Sequence, residues 1–383
     1  MTDPWQAPDA PVPPRSGEFQ APPSPYQSAP YQSAGAGPGW APPPKPGLIP
    51  LRPIGFGALL GASFQVLRRN PKATFGSALI VQAAIMLVTV VVVGIITFWA
   101  VDRIDSAPLD QRDAVAAGSV LIGALSAIIP IALSIIASAL LQAVIVLEVA
   151  RATLGEKLRL GPLWRRAATR LWPLTLWTLL LTVALVIGTA VIAGIVIVLV
   201  SVGGVAGIVA GVLVGLVGGL LLAAASAFLY TKTSAVPSLI VLEELGVRAS
   251  VRRSWSLTRG YFWRTLGILL LVGLIVQVIS QIVTTPVSLL LGLGTMLVDP
   301  SGAFSEQSSI LSVVVSLIIA IPVAAVAAVV QSAAVALIYL DLRMRKEGLD
   351  LELARYVESV TQGNDVPDPY LLPTVSGTGY AAA

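Results

Sequence analysis

The 383 residues are 56% hydrophobic and only 11% charged, with a mean hydropathy of +0.86. A soluble domain carries about 25% charged residues, so the chain belongs to the membrane class. It contains no cysteine and no histidine, which removes disulfides, thiol nucleophiles, Cys/His zinc sites and the usual general base. Its 24 basic and 20 acidic residues leave a net +4, so information lies in where the charges fall.

Residues 1–47 hold 14 of the 28 prolines, and Pro25-Tyr26-Gln27-Ser28-Ala29 repeats at once as Pro30-Tyr31-Gln32-Ser33-Ala34. This composition cannot bury a core and predicts a disordered, partly polyproline II tail. It has neither the basic n-region nor the apolar h-region of a signal peptide. From residue 48 the pattern changes. Phe56, Leu59, Leu60, Phe64 and Leu67 recur at helical spacing, and Arg68 and Arg69 sit off that stripe, as in an amphipathic helix lying in a membrane interface. After Pro71, residues 73–101 are free of charge and give the first span.

A short polar loop with Asp102, Asp105, Asp110 and Asp113 leads to a second charge-free run, 114–147, which contains Pro130. Lys157, Arg159, Arg165, Arg166 and Arg170 then form a basic segment interleaved with Trp164 and Trp172. Leu171 to Thr231 carries no charge over 61 residues, enough for two crossings of about 20 residues each and a tight turn. Those spans are expected near 173–200 and 206–230. Gly203, Gly207, Gly211, Gly215 and Gly219 recur every four residues, so they share a face on which another helix can pack closely.

Residues 235–259 read as a third interfacial segment, with Arg248, Arg252, Arg253 and Arg259 directed to headgroups and Trp255 at the interface. Tyr261 to Arg264 introduce a fifth span near 265–291, and a sixth follows near 309–340. The chain closes with a charged helix from Asp341 to Glu358 and a polar tail, 359–383, expected to be disordered.

Assigning the loops alternately to two sides puts twenty basic residues on one and two, Arg103 and Arg112, on the other. The positive-inside rule then predicts six spans with both termini cytoplasmic. The architecture is all-α: three hairpins of two spans, each preceded by a basic amphipathic helix near Gly57, Gly161 or Gly246. The membrane domain covers 48–358.

Three stretches resemble a bacterial membrane family: Pro53 to Pro71, with Phe64, Arg68, Arg69, Asn70 and Pro71; Trp255 to Arg264, WSLTRGYFWR; and Tyr339 to Asp350, YLDLRMRKEGLD. The family is similar to the membrane domain attached to some glycerophosphoryl diester phosphodiesterases, and it also occurs alone. The resemblance implies a six-helix integral membrane domain of unassigned role in the bacterial cytoplasmic membrane. The phosphodiesterase proper is a TIM barrel with catalytic histidine and acidic residues. This chain has no histidine and no βα pattern, so that activity is not carried over.

No catalytic, cofactor or metal site is expected. The residues expected to meet lipid headgroups are Arg68, Arg69, Arg165, Arg166, Arg252, Arg253, Trp255, Arg259, Trp263 and Arg264. Asp341, Arg343, Arg345, Lys346 and Glu347 are read as a cytoplasmic docking surface, against the plainer reading of a solvated helix held by local pairs. The glycine row serves either intramolecular packing or a homo-oligomer. The expected partners are membrane lipids, anionic ones in particular, and a cytosolic protein recognising the proline-rich tail, with no nucleic acid. The function expected is a non-enzymatic membrane scaffold or lipid-interacting protein. The alternative is a transporter or lipid-translocating protein, which Gln82, Gln142, Gln277, Gln281 and Gln331 within the spans would serve.

Overall fold

The computed structural model describes residues 47–371, except 51, 109, 158, 299–304 and 365, with side chains left out over 295–311. The expectation for residues 1–46 lies outside the described residues, as does that for 372–383. Among the described residues all regular structure is helical. The elements are α1 (Phe56–Arg69), α2 (Phe75–Asp105), α3 (Arg112–Ser126), α4 (Ile128–Thr153), α5 (Leu160–Thr169), α6 (Leu171–Val202), α7 (Gly204–Lys232), α8 (Val236–Leu242), α9 (Val247–Leu257), α10 (Phe262–Val298), α11 (Ser305–Glu347) and α12 (Leu349–Thr361).

Six helical stretches are long and apolar enough to cross a membrane: Phe75–Asp105, Arg112–Thr153, Leu171–Val202, Gly204–Leu242, Phe262–Gly294 and Ser312–Glu347. They coincide with the six expected spans. The second is interrupted at Ala127, between α3 and α4. Pro130 explains the break, because it lacks an N–H and its ring crowds the carbonyl four residues earlier. The spans contact one another in a closed order, α2–α4–α6–α7–α10–α11 and back to α2, with α4 also touching α11.

The core does not lie in the middle of the spans. Along them the large apolar side chains face outward, as Phe98 (79% exposed) and Leu220 (71%) do. This is the pattern lipid tails permit, since they solvate leucine as well as another helix would. Burial concentrates where the basic ends of the spans meet, in the last turns of α4 (Ala143 to Ala150), in α8, and in α11 from Val329 to Met344. Helix α11 has 43 residues, about 64 Å at 1.5 Å per residue, against a hydrocarbon thickness of about 30 Å. The helix is therefore longer than one crossing needs, and its C-terminal third forms part of this buried layer.

The short helices dock onto that layer. Helix α1 buries Leu59, Ala62, Ser63 and Val66 and contacts α11. Helix α5 buries Leu163 and Ala167, and α9 buries Ser250, Ser254 and Leu257. Segment 235–259 is not one interfacial piece. All seven residues of α8 are buried, because Val236, Leu239, Ile240, Val241 and Leu242 leave it apolar on every side, and such a helix belongs in a core. Gly348, with φ +68°, turns the chain from α11 into α12. The described part of the expected C-terminal tail is mostly exposed, from Val360 to Asn364 for example, but part of it is tied to the fold. Helix α12 runs to Thr361, and Tyr370 is 1% exposed.

Candidate functional site

The basic ends of the spans are joined by three clusters of charge. In the first, Asp341 of α11 accepts hydrogen bonds from the Ile54 N–H at 2.9 Å, from Arg264 Nη1 at 2.7 Å and from Arg345 Nε at 3.0 Å. The Ile54 carbonyl accepts from Arg264 Nη2 at 2.6 Å and Arg345 Nη2 at 2.8 Å. Two guanidinium forks thus hold one carboxylate and one peptide group together. The site is nearly dry, with the Asp341 side chain 4% exposed, where an unpaired carboxylate would be strongly unfavourable.

In the second cluster, Glu243 just beyond α8 has a fully buried side chain and lies 2.5 Å from Arg253 Nε. It accepts from the Tyr339 hydroxyl at 2.9 Å. Arg343 Nη1 donates to the same hydroxyl at 3.0 Å and to the Tyr370 carbonyl at 3.2 Å. Glu347 accepts from both Arg253 and Arg343 at 2.9 Å. Lys346 Nζ caps the end of α9 through the carbonyls of Ser256 and Arg259, at 2.7 Å each.

The third cluster surrounds the C-terminal segment. Asp368 pairs with Arg151 of α4, and the Tyr370 hydroxyl donates to the Ala150 carbonyl at 2.7 Å and lies 2.6 Å from Thr153 Oγ1. Burial holds the Tyr370 phenol above its ordinary range. Nearby, Asn70 Nδ2 donates to Glu148 Oε1 at 3.0 Å, and Arg170 pairs with Glu244.

These clusters divide the residues expected at headgroups. Arg68, Arg165, Arg166, Arg252, Arg259, Trp255 and Trp263 are exposed, and Arg69 is half-buried. Arg253 and Arg264 are half-buried and turn donors inward, to Glu243 and Glu347 and to Asp341 and Ile54. The expected docking surface from Asp341 to Glu347 is divided in the same way. Asp341 and Arg343 are each 3% exposed, whereas Arg345 is half-buried and Lys346 and Glu347 are exposed while also bonding within the fold. Tyr370, Asp368 and the Ile54 backbone were not anticipated. A signal for the first two does exist in the polar tail, where Pro367-Asp368-Pro369 stiffens the chain ahead of Tyr370-Leu371-Leu372.

The glycine row faces its own hairpin partner. A Cβ on Gly207 would lie 2.1 Å from the Leu199 carbonyl oxygen, on Gly211 3.0 Å from Val200 Cγ2, and on Gly215 3.7 Å from Val196 Cγ2. Gly203 sits in the turn before α7. Gly219 has nothing within 4 Å, whereas Gly218 meets Ile192 at 3.3 Å. Of the glutamines, Gln82 and Gln142 are half-buried, while Gln277, Gln281 and Gln331 are exposed on α10 and α11.

Fold and site together define a multi-pass, all-helical membrane protein whose spans are clamped at their basic ends. Residues 216–362 match the family described as the membrane domain of glycerophosphoryl diester phosphodiesterase. The match runs from α7 to the end of α12. It includes two of the three resembling stretches, Trp255 to Arg264 and Tyr339 to Asp350, and leaves Pro53 to Pro71 outside. No curated protein and no solved structure matches the chain.

Proposed function

We propose that this protein is a non-enzymatic scaffold of the bacterial cytoplasmic membrane that gathers anionic lipid at its basic rim, with both termini in the cytoplasm. One observation carries this reading. The rim is sorted into an inner set of arginines neutralised by carboxylates and an outer set, Arg68, Arg165, Arg166, Arg252 and Arg259, left at the surface beside exposed Trp255 and Trp263. Each basic residue near an anionic leaflet contributes about 1 kcal/mol, and tryptophan prefers headgroup depth. In this reading α1, α5 and α9 lie in the interface. The proline-rich residues 1–47 tether a cytosolic partner.

The test is retention of lipid. Purified protein in mixed micelles should keep phosphatidylglycerol in preference to phosphatidylcholine, as read by native mass spectrometry. Equal retention of the two would overturn the proposal. Transport has less support. The crevices between α6 and α7 and between α10 and α11 are lined by apolar side chains, such as Leu181, Leu185 and Leu222 in the first and Val276, Val283 and Val326 in the second.

A further inference from the structure

At the rim, α4, the α5–α6 junction, the end of α8 and the C-terminal segment enclose a cavity of about 300 Å³. It is the size of a small ligand site. Unlike the crevices between the spans, it is lined by charge: Arg151, Arg166 and Arg170 face it, with Glu244 and Asp368 among them. Arg151 is held by Asp368 and lies 3.6 Å from Glu156, and Arg170 is held by Glu244. Arg166 has no ion-pair partner among the described residues.

We propose that Arg151, Arg166 and Arg170 form a binding site for a phosphate group, and that the Asp368 carboxylate occupies this site until a phosphate displaces it. This deepens the lipid reading given above and rests on it. Three guanidinium groups converging on one cavity suit a tetrahedral oxyanion, because each can offer two donors in a planar fork. Asp368 already makes one such contact on Arg151, as an anion carried on the chain itself. The Asp368 side chain is 28% exposed; turning it away gives up its bond from the Tyr370 N–H, while the Tyr370 hydroxyl keeps its own bond to the Ala150 carbonyl under α4. Leu171 opens α6 directly after Arg170, so the cavity sits at the end of a span, where the phosphate of a lipid or of a soluble phosphate ester can reach it.

Arg165 supplies the control. It adjoins Arg166 and is equally exposed, but it does not line the cavity. The full-length chain in phosphatidylcholine nanodiscs is titrated with glycerol 3-phosphate in solution, and separately prepared with phosphatidic acid in the bilayer. Native mass spectrometry gives the readout. Arg166→Gln is expected to weaken phosphate binding about tenfold, the loss of one charge-assisted contact, with Arg165→Gln within about twofold of the parent. Asp368→Asn should tighten it several-fold by removing the internal competitor. Binding in either arm supports the site and assigns the source of the phosphate. Equal weakening by Arg165→Gln and Arg166→Gln overturns the site and leaves general attraction to an anionic surface standing. No binding of either phosphate by the parent chain overturns the site, and if it comes with no anionic preference it overturns the lipid reading as well. Should Asp368→Asn fail to fold, the comparison of Arg165→Gln with Arg166→Gln decides alone.

Discussion

Arg264 and Asp341 meet at 2.7 Å across 77 residues of sequence. One ends the WSLTRGYFWR stretch at the start of α10, and the other opens the charged end of α11. Both then reach Ile54 ahead of α1, one through its side-chain donor and the other as an acceptor. The three stretches that stand out in the sequence are therefore parts of one clamp, which fixes where the fifth span enters relative to the end of the sixth.

Asp341→Ala should destabilise the protein by about 3–5 kcal/mol, because it leaves two guanidinium groups and a backbone N–H without their acceptor at a nearly dry site. Arg264→Lys keeps the charge but cannot hold Asp341 and the Ile54 carbonyl together, so about 1–2 kcal/mol is expected. Thermal unfolding in detergent measures both. An Asp341→Ala protein as stable as the parent would show that the clamp is incidental.

The glycine row gives an ordered series. Gly207→Ala drives a methyl group into the Leu199 carbonyl and should cost about 1–3 kcal/mol as overpacking. Gly219→Ala meets open space and should be neutral or slightly stabilising. Differential scanning fluorimetry of the two variants checks the order. Equal melting temperatures would place the close seam of the hairpin elsewhere.

The six spans and the existence of α1, α5 and α9 were legible in the sequence because each depends on local spacing of apolar and basic residues. The glycine seam was legible for the same reason, except that Gly218 replaces Gly219 at its far end, since a helix advances by 3.6 residues per turn and an exact four-residue step drifts off the face. What local spacing could not separate was an arginine facing headgroups from one facing a distant carboxylate. Arg252 and Arg253 are neighbours of like chemistry, yet the first is exposed and the second is paired with Glu243. Helix α8 was missed because the arginines of 248–259 made the whole of 235–259 read as one interfacial segment, although its first part is apolar on every side. Tyr370 was missed because the composition of its surroundings is that of a solvated tail.

Gly348 joins α11 to α12 in the left-handed region, at φ +68°. A side chain there costs about 1–2 kcal/mol. Gly348→Ala should therefore loosen α12 more than the spans, seen as faster hydrogen exchange over 349–361 with the transmembrane segments unchanged. Unchanged exchange in α12 would mean that its packing on α11 overrides the turn.

Docking of the C-terminal segment should depend on alkaline pH. The buried Tyr370 phenol titrates above its ordinary value of 10.0. The folded state therefore retains a proton that the released segment loses, and the contribution to stability is complete below about pH 10 and declines as pH rises further. Tyr370→Phe removes that titration and also a hydrogen bond worth about 1 kcal/mol. Limited proteolysis after Tyr370 should accelerate above pH 10 in the parent chain. In Tyr370→Phe it should be faster at neutral pH and lack that tyrosine-dependent rise. A parent chain whose cleavage rate is flat from pH 8 to 11 would show that the segment is held by Asp368 and the Arg343 contact, without Tyr370.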